Sequence, residues 1–164
     1  MPKMSKNLGW PGALVFVSVL AGVGCGGGEE DGEETTLFSA DYASTFTEVR
    51  DCRKSADHDL NTIRIVADPT ALASYEDRTV DFPDGSIVLK EEYDFADNDC
   101  SGEIIQWTVM VKGGADSSGD TLGWHWQQVN ASRKVDTENE FRCINCHNEC
   151  GGPPAGFDGT CAEP

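Results

Sequence analysis

The chain has 164 residues, 12 basic against 29 acidic, for a formal net charge of −17, and 38% of it is hydrophobic. Such a chain can pack one domain around a core of its own. The acidity and the lack of any basic run exclude phosphate-tracking nucleic-acid binding, which needs clustered Lys and Arg.

Residues 1–24 read as a secretory signal. Lys3 and Lys6 give the positive start, and residues 13–21 (ALVFVSVLA) give an apolar stretch too short for a hydrocarbon core of about 30 Å. Cys25 follows Gly22-Val23-Gly24, a site that resembles the lipidated cysteine of bacterial lipoproteins, although Gly22 stands where Leu is usual. The alternative is an ordinary cleaved signal with Cys25 as a spare thiol. Residues 25–36, with Gly26-Gly27-Gly28 and then Glu29, Glu30, Asp31, Glu33 and Glu34, read as a flexible, self-repelling tether. These features point to an exported protein, periplasmic or anchored in the outer membrane by a lipid at Cys25.

The folded domain is expected over residues 37–164. Phe38, Tyr42, Phe46 and Val49 recur at three- and four-residue spacing, which predicts an amphipathic helix over 38–53. Residues 61–67 (NTIRIVA) alternate and are β-branched, a strand with Ile63 and Ile65 on one face. Asp68-Pro69 starts a short helix over 70–76. Pro83-Asp84-Gly85 is turn chemistry leading into a strand over 86–93. Two more strands follow over 103–112 and 121–129, separated by a Gly/Ser/Asp loop, and the tail from Asn145 is expected to be mostly irregular. This order predicts a single α+β domain, mainly an antiparallel sheet with a few packed helices.

Cys143-Ile144-Asn145-Cys146-His147 is the C-x-x-C-H pattern of c-type haem attachment. Two thiols three residues apart on one turn can each add to a haem vinyl group, and the next residue's imidazole then falls beneath the iron. His147 is thus the candidate axial ligand, and one covalent haem c the candidate cofactor. The bland alternative is a zinc or disulfide cluster of Cys143, Cys146, Cys150 and Cys161, in a cysteine-stapled surface lipoprotein without haem. If Cys25 takes a lipid and Cys143 and Cys146 take haem, four cysteines remain, which allow three pairings. Cys52 with Cys100 and Cys150 with Cys161 is the pairing that would tie down two otherwise loose segments. Only 17 residues follow His147, and Met110 is the sole methionine outside the signal; this disfavours a His/Met electron carrier.

From Phe46 to Phe157 the sequence resembles the cytochrome P-460 family, which includes the cytochrome c-prime-beta proteins. The resemblance is carried by IRIVADPTALASYE (63–76), FPDGSIVLKE (82–91), VMVKG (109–113), GWHWQQV (123–129), CINCH and Phe157-Asp158, in that order. It implies a mainly antiparallel β fold, commonly a homodimer, around a five-coordinate haem with an open distal side. Enzymatic members oxidise hydroxylamine and pass electrons to a periplasmic carrier, using a lysine bonded to the porphyrin edge. By motif position that residue is Lys90; the alternative is a solvated strand lysine. Those members also place a carboxylate over the distal face. Thr108 stands at that position here, beside Trp107, with Glu103 the nearest acid on the strand, and threonine is no base. Non-catalytic relatives bind nitric oxide in a hydrophobic distal pocket, and that is the alternative function.

Three further groups complete the reading. His125, between Trp124 and Trp126, either projects towards the haem or packs in the sheet. His58, in a polar loop, is expected to be solvated. Trp107, Trp124, Trp126 and Phe141 are apolar enough to wall a dry pocket or simply to form core.

Overall fold

The β-branched and aromatic runs pair side by side in chain order, and the computed structural model describes them over residues 35–114 and 116–161. The expected signal, Cys25 and the tether up to residue 34 lie outside the described residues. The elements are β1 (Thr47–Lys54), β2 (Thr62–Ala67), α1 (Leu72–Asp77), β3 (Ile87–Tyr93), β4 (Ile104–Lys112), β5 (Trp124–Asn130), β6 (Val135–Glu138) and α2 (Phe141–Glu149). The six strands form one sheet in the order β1-β2-β3-β4-β5-β6, antiparallel throughout. With its two helices this is the α+β architecture expected of the sequence. Among the described residues no helix is long and apolar enough to cross a membrane.

Residues 38–53 are not one helix. Phe38, Tyr42 and Phe46 do stack, with ring centroids 5.3 and 5.8 Å apart, but through a 3-10 turn at Tyr42–Ser44. From Thr47 onward the chain pairs with β2, Thr47 opposite Ala67 and Lys54 opposite Thr62, with two register irregularities between. Strand pairing thus overrides a helical spacing whose last member, Val49, is β-branched. Two other expectations shift. The tail stays helical to Glu149 before becoming irregular, and β6 follows β5 through a hairpin in which Asn130 N–H donates to the Lys134 carbonyl at 2.9 Å.

Because successive strand residues face opposite sides, the sheet buries two separate cores. One side carries Leu89, Trp107, Val109 and Val129 under Phe38 and Tyr42. There the buried Glu91 accepts from the Tyr42 and Tyr93 hydroxyls, each at 2.7 Å, and pairs with Arg64 at 2.6 Å. The other side carries Val88, Met110, Trp124 and Trp126 under Ala71, Tyr75 and Phe82, with Cys143, Ile144 and Phe157 packed against them. Each large apolar side chain buried this way contributes about 1.5–3 kcal/mol. Asp68 joins α1 to the sheet: its Oδ1 accepts from the Ala71 and Ile87 backbone N–H groups, each at 2.9 Å.

A disulfide joins Cys52 on β1 to Cys100 in the β3–β4 connection, 48 residues away. Loop-closure entropy for a ring of that size predicts that the double substitution C52S/C100S lowers the unfolding free energy by about 4 kcal/mol. Denaturant titration of the two proteins measures it, and coincident curves would show that the cross-link adds nothing.

Candidate haem site

Helix α2 sets the site. Cys143 and Cys146 lie three residues apart and Cys143 and His147 four apart, spacings that put all three on one helical face, and all three line the same cavity. Both thiols are free, Cys143 half-buried and Cys146 exposed, and burial pushes the Cys143 thiol's pKa up.

His147 is oriented from behind. Its Nδ1 lies 2.8 Å from the Gly159 carbonyl oxygen, which can only accept. The ring proton therefore sits on Nδ1, and the Nε2 lone pair is left for a metal. Burial lowers the imidazole's pKa and so favours this neutral form. Trp126 meets the ring edge-on at 4.8 Å between centroids.

The turn that presents the carbonyl is itself pinned. Gly159 has φ +81°, and a Cβ there would meet Trp124 Nε1 at 2.9 Å, so glycine is required. Trp124 Nε1 donates to the Asp158 carbonyl at 2.8 Å. The Asp158 carboxylate accepts from Phe82 N–H at 3.1 Å and Lys112 Nζ at 2.6 Å. A disulfide between Cys150 and Cys161 closes the loop that holds the turn. It also removes two of the four thiols that a zinc cluster would need.

The cavity measures about 600 Å³, and Ile63, Ile65, Val88, Met110 and Trp126 give it apolar walls. That volume and character suit a cofactor. Two free thiols and a metal-ready imidazole on one helical face, beside an apolar space of this size, fit a covalently attached haem.

Lys90 points into this space. It lines the cavity with Val88, its side chain only 13% exposed, and its Nζ lies 3.2 Å from Glu92 Oε1. It is not a solvated strand lysine, and burial lowers the ammonium pKa despite the neighbouring carboxylate. Thr108, opposite Lys90 in the register, also lines the cavity, and its hydroxyl lies 3.4 Å from Glu92 Oε1. Glu92 Oε2 accepts from Asn61 Nδ2 at 2.9 Å.

Glu92 is the cavity carboxylate that sequence reasoning missed. The signal was present, since alternation places it on the same face as Val88 and Lys90. Glu103, expected as the nearest acid on that strand, lies just before β4 and is exposed. Met110 belongs to the core that forms the cavity wall.

Of the other candidates, His125 is buried and does not line the cavity, with Nε2 3.2 Å from Glu138 Oε1. Trp107 belongs to the opposite core, where its Nε1 donates to Tyr42 Oη at 2.9 Å. Trp124 holds the turn, Trp126 walls the cavity, and Phe141 is exposed. His58, expected to be solvated, instead lines the cavity from the β1–β2 turn.

Burial above all, with the charges of Lys90 and His147 adding to it, drives the His58 pKa down to about 3. Its folded value thus lies below the ordinary 6.5, so acid protonates the unfolded chain first. His58 therefore withdraws stability as pH falls from about 6.5 towards 3. His58→Gln should lose unfolding free energy less steeply than the parent protein between pH 6.5 and 4. Parallel pH profiles in chemical denaturation would contradict the burial of this imidazole.

The sequence model of the family described as Cytochrome P460 matches residues 39–152, which is well over half of the chain and runs from the 3-10 turn through α2. No match was found among curated proteins. The match covers the sheet, Lys90, Glu92 and the CINCH helix together. The chain therefore belongs to the cytochrome P460 family, whose cofactor is a haem.

Proposed function

We propose that the chain is an exported haem c protein that carries out redox chemistry on hydroxylamine or a related small nitrogen species at an iron with one open side. The observation that carries this reading is the set Cys143, Cys146 and His147 on one face of α2, with His147 Nδ1 tied to the Gly159 carbonyl. Cys143 and Cys146 would hold one haem by thioether bonds, and His147 Nε2 would hold the iron. When bound, that haem supplies the electron chemistry. Electrons would leave to a periplasmic carrier, while a lipid at Cys25 holds the domain to a membrane.

The protein's own residues supply the rest. Ile63, Ile65, Val88 and Trp126 exclude water from the cavity. Burial holds Lys90 closer to its neutral, nucleophilic amine, and Glu92 lies 3.2 Å away to accept its proton. This supports Lys90 as the residue that would bond to the porphyrin edge, a step in which one amine N–H and one porphyrin C–H are lost and a peroxide, reduced to two waters, would take up the two electrons. Oxidising hydroxylamine also releases protons, and Glu92, next to Thr108, is the carboxylate placed to take them.

The presence of Thr108 where hydroxylamine-oxidising members have a carboxylate, together with the apolar walls, also favours a second reading, in which the same haem captures nitric oxide without turnover.

Denatured protein, matured with the export-linked haem ligation machinery, should retain haem on a gel, and C143S/C146S should lose it; colourless parent protein would end the proposal. The haem-peptide mass separates the two readings, since a bond to Lys90 supports the enzyme and an unmodified porphyrin edge the nitric oxide binder. Glu92→Gln should slow hydroxylamine oxidation by about 10²-fold or more at unchanged haem content. Steady-state rates of the loaded proteins measure this.

A further inference from the structure

His58 lies outside the CINCH helix, yet it lines the cavity together with His147 and Lys90. It comes from the β1–β2 turn, an element separate from the helix that carries His147. Its Nδ1 lies 2.6 Å from Ser55 Oγ, and no hydrogen bond joins Nε2 to another described residue.

The turn is held on all sides. Ser55 N–H donates to the Asn61 carbonyl at 3.0 Å, and Asn61 N–H donates to the His58 carbonyl at 2.9 Å. Arg142 on α2 holds Asp59 at 3.1 Å, and Asn61 Nδ2 holds Glu92 at 2.9 Å. Asp59 and Leu60 both stand in the left-handed region, at φ 55° and 66°, a conformation that non-glycine residues keep only where surrounding contacts enforce it. The ring is thus fixed by its hydroxyl partner and by a turn strapped to both the haem-binding helix and the cavity carboxylate.

A neutral imidazole whose Nδ1 accepts from a hydroxyl carries its one proton on Nε2. We propose that the Ser55 hydroxyl donates to Nδ1, which puts the ring proton on Nε2, and that His58 is the ligand-selecting residue of the cavity: with a haem seated on His147, its Nε2–H would donate a hydrogen bond to the molecule bound on the iron's open side. The site would then favour small ligands that present an electronegative acceptor atom over apolar ones, since donors in that position decide what a haem binds and keeps. This rests on the haem reading of the cavity, and Ser55 is the positioning residue that sets the tautomer.

The test uses full-length, haem-loaded protein with carbon monoxide and cyanide as probes. In ferrous His58→Leu the C–O stretch of the carbon monoxide adduct should rise to the value of an apolar pocket, and ferric cyanide affinity should fall about tenfold, the factor one such hydrogen bond supplies. His58→Gln should recover part of both effects, and Ser55→Ala should broaden the stretch by freeing the ring. Should His58→Leu fail to fold, the Ser55→Ala spectrum decides, and an unaltered band there overturns the proposal. Unchanged stretch and cyanide binding in folded, haem-bearing His58→Leu would overturn it as well. So would a low-spin parent that turns high-spin in the variant, because His58 would then be a ligand of the iron. Parent protein without bound haem would instead sink the reading of the cavity itself, which haem staining distinguishes.

Discussion

The hydrogen bond from His147 Nδ1 to the Gly159 carbonyl fixes the one group in the cavity whose direction matters most. An imidazole free to rotate would offer either nitrogen, in either tautomer, to a metal; one tied through Nδ1 offers only Nε2. The bond holds because the carbonyl belongs to a turn with no freedom of its own. Trp124 fills the space where a side chain at residue 159 would stand, and Lys112, Phe82 and Trp124 all bond to Asp158. These three come from β4, β5 and the segment before β3. The orientation of the candidate iron ligand is thus inherited from the rigidity of the sheet.

The same sheet separates structure from chemistry by alternation. Leu89 and Val129, fully buried on one side, are core, while Val88, Lys90 and Thr108 line the cavity on the other. Burying Lys90 and Glu92 there costs desolvation of both groups, and pairing them at 3.2 Å offsets part of it. The Glu91 network on the opposite side shows the contrast. Tyr42, Tyr93 and Arg64 meet its carboxylate there, so both of its oxygens are engaged inside the core. Two successive glutamates on β3 therefore have opposite fates, one closed in a structural network and one facing the cavity.

Much of this was legible in the sequence, because spacing and strand alternation are local. CINCH identified the helix face that faces the cavity, and the alternating runs gave β2, β3 and β4 nearly to the residue. What failed depended on distant contacts. Phe38, Tyr42 and Phe46 do meet at helical spacing, but their stacking needs only one turn, and β2 claims the residues that follow. His58 sits in a run of polar residues that looks solvated; only the folding of its turn over the cavity, tied through Asp59 to Arg142, half-buries it. Glu92 was hidden among adjacent charges, since nothing local says which of Lys90, Glu91 and Glu92 will lose water.

The pairing of Cys150 with Cys161, beside free thiols at Cys143 and Cys146, sets opposite redox demands within nineteen residues of chain. Two sulfurs are oxidised to lock the carbonyl-bearing turn, and on the proposed haem attachment two would have to stay reduced to react with vinyl groups. Cys146 and Cys150 are neighbours across one helical turn, with Cys150 Sγ 3.6 Å from the Cys146 carbonyl oxygen, so the wrong partner is always close. If the chain is exported as proposed, its biogenesis in an oxidising compartment would become a problem of sorting sulfurs in time. A bridge made too early between the wrong pair would block attachment of the cofactor, while one made too late would leave its axial base unsteered.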